Sequence, residues 1–257
     1  MAVAGDWHGS TSWARRALEQ VAGHGVRTVL HVGDFGIWYG VPGRHFLDTV
    51  TDICSALDLT IYITPGNHEH WPTILSSTLE ARDEFGSVMW IRNRIAVLPR
   101  GHRFHLGDRS FVSLGGAPSI DFQTRFPGID WWPDEMITPE DIAAVVAGGH
   151  ADVMLAHDAP DTPWQTGKVA AICASNPGGW PALARGYSAV GRTRLSTAFL
   201  AVRPEVYVHG HYHVADDIDL DLGDRRCRMV SLDCEWTAGN LAYLELPDLS
   251  VTTRPPA

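Results

Sequence analysis

Short apolar runs alternate with amphipathic stretches over the first ninety residues. Residues 26–32 (VRTVLHV) and 59–64 (LTIYIT) are β-branched runs closed by glycine or proline, the pattern of buried strands. Between and around them, 10–22, 43–57 and 72–85 carry helical periodicity. Ser10 or Ser12 is the candidate N-cap of the first helix, and Trp13, Ala17, Leu18 and Val21 form its apolar face. The texture then changes. VMWI, IAVLP, HRFHL and SFVSLGG, within 88–116, are short and divided by polar turns, which predicts antiparallel strands.

Residues 117–137 read as a long loop rich in aromatic and charged groups. A helix over 138–147 leads to the strand 153–156, and the proline- and glycine-rich stretch 160–189 reads as irregular. Helix 191–202, strand 206–208 and three hairpin-linked strands (214–222, 226–233, 241–247) complete the pattern, with a frayed tail at Pro255-Pro256-Ala257. Strand–helix units joined to strand-only stretches predict two packed sheets flanked by helices. With neither a linker nor a repeat, residues 1–257 are expected to form one domain.

At each strand end stands a short polar block: Gly5-Asp6-Trp7-His8, Gly33-Asp34, Gly66-Asn67-His68-Glu69, Ala156-His157-Asp158 and Gly210-His211-Tyr212-His213. In α/β domains such ends gather on one rim, so residues distant in sequence can share a site. Mixed imidazole and carboxylate donors suit Mn, Fe, Zn or Ni and exclude a calcium-type all-oxygen shell. No cysteine lies in the blocks, which excludes a structural zinc knot.

Composition narrows the partners. A net charge of −10 opposes long duplex nucleic acid, and the one basic cluster, Arg225-Arg226-Cys227-Arg228, is short. Cys54, Cys173, Cys227 and Cys234 contain no CxxC pair and read as idle reduced thiols. No apolar run reaches a membrane span, and Met1 leads directly into the first block, so a cytoplasmic protein with no membrane partner is expected. Oligomeric state is left open.

The ordered blocks DxH, GD, GNHE, H and GHxH, over residues 5–213, resemble the calcineurin-like metallophosphoesterases. The loop Gly115-Gly116-Ala117-x-Ser119-x-Asp121, with Arg125 and Trp131-Trp132, resembles a bacterial and phage subgroup. The resemblance implies an α/β fold: a four-layer αββα sandwich of two mixed β-sheets flanked by helices, with a dinuclear metal site at the C-terminal strand ends. It implies that Asp6, His8 and His213 bind one divalent metal, Asn67, His157 and His211 a second, and that Asp34 bridges them. Manganese is expected to support activity in vitro, with Fe, Zn and Ni also compatible. The implied chemistry is attack on phosphorus by a metal-bridging hydroxide, with His68 binding phosphate and protonating the leaving oxygen. Asp158 or Glu69 would orient a ligand or His68.

One departure stands out. Gly33-Asp34-Phe35-Gly36-Ile37 lacks the Asp-Arg-Gly run of the protein Ser/Thr phosphatase branch, so another group must clamp phosphate; Arg125 is the candidate. Asp121, Trp131 and Trp132 are the other candidate substrate contacts, although the tryptophans could equally cap a core. His31, mid-strand, reads as a core histidine. The expected substrate is a small phosphodiester or monoester, nucleotide-like, with cyclic nucleotides first. The alternatives are a single-strand nuclease of the same fold and a non-catalytic metal-binding module.

Overall fold

The computed structural model describes residues 1–253; the tail expected to fray lies outside them. The N-terminal half runs β1 (Ala2–Ala4), α1 (Thr11–Gly23), β2 (Thr28–His31), α2 (Gly40–Leu57), β3 (Thr60–Ile63) and a short α3 (Trp71–Leu75). Antiparallel strands follow as β4 (Leu79–Ala81), β5 (Ser87–Arg92), β6 (Ile95–Val97), β7 (His102–Leu106) and β8 (Arg109–Leu114). After the long loop come α4 (Pro139–Ala147), β9 (Val153–Ala156), α5 (Gly167–Ser175), α6 (Ala182–Val202) and β10 (Val206–His209). The chain closes with β11 (Asp216–Asp221), β12 (Arg226–Ser231), β13 (Leu241–Leu244) and β14 (Val251–Thr252).

Two mixed sheets result. One has the order β14-β13-β1-β2-β3-β6-β5-β4, the other β11-β12-β10-β9-β8-β7. The parallel strands β1, β2 and β3 of the first sheet, and β9 and β10 of the second, carry all five polar blocks. The period-two alternation of a strand sorts their side chains into layers. Ala2 and Ala4 of β1 face α1 and α2, where Trp13, Leu18, Phe46 and Val50 cover them, while Val3 points between the sheets. Val153 and Leu155 of β9 meet Val3, Leu30 and Val32 there, and Met154 and Ala156 turn outward to Val145 of α4 and Phe199 of α6. This is the four-layer αββα sandwich. Burying a side chain the size of Leu30 or Leu155 contributes about 1.5–3 kcal/mol, so the central layer, apolar on both sides, holds the two halves of the rim together.

Three predictions differ. Of the three strands expected to be hairpin-linked, only β11 and β12 pair, and β13 joins the other sheet beside β1. The helix expected over 72–85 stops at Leu75, and 79–81 is an edge strand. The hydroxyls of Ser76 and Ser77 both bond back to the carbonyl of Thr73, a local alternative that ends the helix. The stretch 160–189 is also more regular than its prolines suggest. It contains α5, which ends at Asn176 in a left-handed conformation, and α6 starts at Ala182 with Pro181 as its N-cap. Proline at a helix start has no hydrogen bond to lose, so it opens α6 instead of breaking it. The four cysteines are free, with Cys54 and Cys227 buried. Among the described residues no helix is long and apolar enough to cross a membrane.

Candidate metal centre

Each block leaves its strand within two or three residues, and the loops converge. Donor atoms of Asp6, His8 and His213 lie within 4.8 Å of one another, and so do those of Asp34, His157 and His211. Asp34 joins these sets: its Oδ2 is 3.6 Å from His8 Nε2 and 3.4 Å from His157 Nε2. His213 Nε2 stands 3.2 Å from Asp6 Oδ2. Asn67 completes the cluster, its Oδ1 3.0 Å from His157 Nε2.

The DxH and HxH spacings suggest extended segments with both side chains on one face. The backbone works differently. His8, Asp34, His211 and His213 have φ of 43°, 51°, 70° and 50°, the left-handed region. Each such residue costs on the order of 1 kcal/mol or more, strain that collects where side chains must be aimed. Two glycines make room. A Cβ on Gly66 would overlap Asp34 Oδ1, and one on Gly210 would overlap Asp6 Oδ1.

Neighbouring groups fix which atom each ligand presents. His157 Nδ1 donates to the Val32 carbonyl at 2.7 Å, leaving Nε2 toward the centre. His8 Nδ1 lies 2.8 Å from Glu235 Oε2, which turns its Nε2 inward as well. Asn67 donates from Nδ2 to Ser119 Oγ at 3.0 Å, so its oxygen faces His157. Ser119 is held in turn by Glu135, which accepts its hydroxyl at 2.7 Å and its N–H at 2.6 Å. Glu135 also accepts from Trp131 Nε1 and Tyr187 Oη. Such partners commonly set ligand basicity and orientation. Glu69 bridges two blocks by accepting from the N–H groups of Phe35 and Gly66. Asp158 accepts from Tyr212 Oη at 2.7 Å.

Electrostatics agrees with a cation site. Burial opposes charge on His8 and His157, but facing carboxylates outweigh it: Asp34, Asp6 and Glu235 for His8, Asp34 and Asp6 for His157. Both imidazoles rise to about 10. Burial likewise opposes ionisation of Asp34, yet His157 and His68 hold it well below the ordinary carboxylate range. Two buried carboxylates, Asp6 and Asp34, ringed by inward-turned imidazoles, form a donor set that divalent cations fit.

The expected substrate contacts divide. His68 sits beside the centre, its Nε2 3.9 Å from Asp34 Oδ2, and its backbone N–H donates to Asp34 Oδ1. Arg125 Nη2 donates to His68 Nε2 at 3.1 Å, and Asp121 Oδ1 holds Arg125 Nε at 2.7 Å. Trp132 is buried, its ring edge-on to His70 at 4.9 Å, so the core-capping reading describes it. Trp131 is half-buried and supports Glu135. Glu235, Ser119, Glu135 and Asn240 were not anticipated as supports of the site. Asn240 accepts the indole N–H of Trp7 and Trp13 and donates to the carbonyl of Asp6, bracing the first block. His31 is a core residue, accepting from Gly33 N–H while its Nε2 lacks a partner among the described residues.

The sequence pattern of the calcineurin-like phosphoesterases matches residues 1–215. The chain belongs to that family and is a metal-dependent phosphoric ester hydrolase, of a family that generally uses two divalent metals. Among solved structures, it is similar to the TT1561 protein of Thermus thermophilus at 10% identity and a TM-score of 0.57, over 98% of this chain and 99% of that one. It is also similar to a dimetal phosphatase from Danio rerio at 14% identity and a TM-score of 0.51, over 93% of this chain and 84% of that one. At these identities the likeness is one of fold. No curated protein matches the chain by sequence.

Proposed function

We propose that the chain hydrolyses small phosphodiesters or monoesters at a dinuclear centre, with nucleotide-like esters, cyclic nucleotides first, as the substrates to test. The observation that carries this reading is the position of Asp34. Its Oδ2 lies between His8 Nε2 and His157 Nε2, and so couples two sets of donors. Asp6, His8 and His213 would hold one cation, Asn67, His157 and His211 the other, with Asp34 shared. Bound there, two cations supply Lewis acidity and a water acidic enough to act near neutral pH.

The chain's own residues do the rest. Val32 and Glu235 keep Nε2 of His157 and His8 turned to the centre, and Ser119 keeps Asn67 Oδ1 there. Arg125, tethered by Asp121, brings a guanidinium fork to the edge of the site and replaces the clamp missing after Asp34. His68 Nε2 accepts from Arg125, so it would have to exchange that contact for a proton before it could hydrogen-bond a phosphoryl oxygen and pass the proton to the leaving oxygen. The net charge of −10 favours small substrates over polymeric nucleic acid. Metal-dependent turnover of cyclic nucleotides, nucleotide monoesters, simple diesters and short oligonucleotides, assayed with added Mn, tests the reading. Preference for small diesters or monoesters supports it; steeply salt-dependent cleavage of oligonucleotides alone contradicts it.

A further inference from the structure

A cavity of about 500 Å³ opens beside the metal centre, between α5, the Asn176–Trp180 turn and the first turns of α6. It shares a wall with the centre: His211, a candidate ligand, lines it together with the neighbouring Tyr212. Ile120, next to Ser119 in the loop that positions Asn67, closes another side. A group attached to a phosphoryl bound at the centre can therefore extend into this space. Its volume suits one mid-sized organic group.

The lining says what kind of group. Ile120, Ile172, Trp180 and Ala189 present apolar surface. Two guanidiniums, Arg185 and Arg192, also line it, and Arg192 Nε has no hydrogen-bond partner among the described residues. Asn176, Ser188 and Tyr212 are already engaged. Asn176 donates from Nδ2 to the Trp180 carbonyl and accepts the Trp180 N–H at Oδ1, so its amide is used on both sides. Ser188 accepts from Arg192 Nη1 at 2.7 Å, and the Tyr212 hydroxyl donates to buried Asp158. Among the lining residues no free side-chain amide remains to read the edge of a base.

We propose that this cavity seats a largely apolar ester group of the substrate, an aryl or heteroaryl ring packed against Ile120, Ile172 and Trp180. The proposal rests on the phosphoesterase reading above and predicts selection by ring size.

The test is calorimetric binding of methylphosphonate, phenylphosphonate and 1-naphthylphosphonate to the Mn-loaded full chain, which needs no turnover. From the area buried, affinity is expected to rise roughly tenfold or more from methyl to naphthyl. Gly186 lines the cavity on α6, and a Cβ there meets nothing within 4 Å. Gly186→Trp can therefore fill the cavity from an open helix position, and it is expected to reduce the naphthyl-to-methyl ratio to near unity. Equal affinities in the unmodified chain, or a ratio that survives Gly186→Trp, overturn the pocket while leaving the metal-centre reading intact. Failure of all three phosphonates to bind, together with no ester hydrolysis, overturns that reading and this proposal with it.

Discussion

Arg125 Nη2 stands 3.1 Å from Nε2 of His68, and Asp121 fixes the guanidinium from behind at 2.7 Å. This relationship joins a loop with little regular structure to the GNHE block, and it brings a cation to the side of His68. Arg125→Ala is expected to lower kcat/KM for a small phosphodiester by roughly 10- to 100-fold, the scale of a lost charge-assisted pair. Arg125→Lys should recover little, because a point ammonium cannot hold Asp121 and a phosphoryl oxygen as a planar fork does. Unchanged steady-state kinetics in Arg125→Ala would remove Arg125 from the site.

Ser119 acts on Asn67 at a distance from any reacting atom. Its Oγ accepts the Asn67 amide and passes the constraint to Glu135. Ser119→Ala is expected to weaken the second cation by about 10- to 100-fold, as loss of an orienting partner commonly does. A Mn titration followed by calorimetry should show one site weakened and the other unchanged. Two unchanged sites would mean that Asn67 needs no such support.

Glu135 supplies a pH signature. Burial pushes its carboxyl up to about 7, although donors from Ser119, Trp131 and Tyr187 favour the ionised form. The folded chain thus keeps a proton that the unfolded chain releases near the ordinary glutamate value. Between those two values stability falls as pH rises, by at most about 1.4 kcal/mol per pH unit. Below that window both states are protonated and the contribution is flat. Glu135→Gln removes the titration, so urea melts at a series of pH values, with chelator present, should show a shallower decline than in the unmodified chain. An identical decline would show that Glu135 titrates normally.

Much of the rim was legible because each block follows a strand, and parallel strands must bring their C-terminal ends together. Asp6, Asp34, Asn67, His157 and His211 follow β1, β2, β3, β9 and β10 as the hydrophobic pattern predicts. The groups that aim them were not legible. Glu235 meets His8 across 227 residues, and Asn240 reaches Trp7 across 233, pairings that tertiary packing decides and no local pattern announces. The left-handed backbone at His8, Asp34, His211 and His213 was hidden too, because the loops' convergence imposes it. Residues 72–85 misled by composition: helix-compatible residues surround Ser76 and Ser77, whose hydroxyls compete for the backbone.

His68 should separate substrates by leaving group. A poor leaving alkoxide needs a proton as the bond breaks, and p-nitrophenolate does not. His68→Ala is expected to slow hydrolysis of an alkyl diester by roughly 100-fold or more, within the usual range for general acid catalysis, and of a p-nitrophenyl diester much less. Equal losses on both would reduce His68 to a phosphate ligand.

The central claim is that Asp34 ties two cations into one hydrolytic centre. The most direct measurement is the rate of p-nitrophenyl phosphodiester hydrolysis by Asp34→Ala in saturating Mn, with circular dichroism confirming the fold. Loss of the shared carboxylate should lower the rate on the order of a thousandfold or more, the several kcal/mol that metal-assisted charge stabilisation supplies. Full metal-dependent hydrolysis by a folded Asp34→Ala chain would contradict the account.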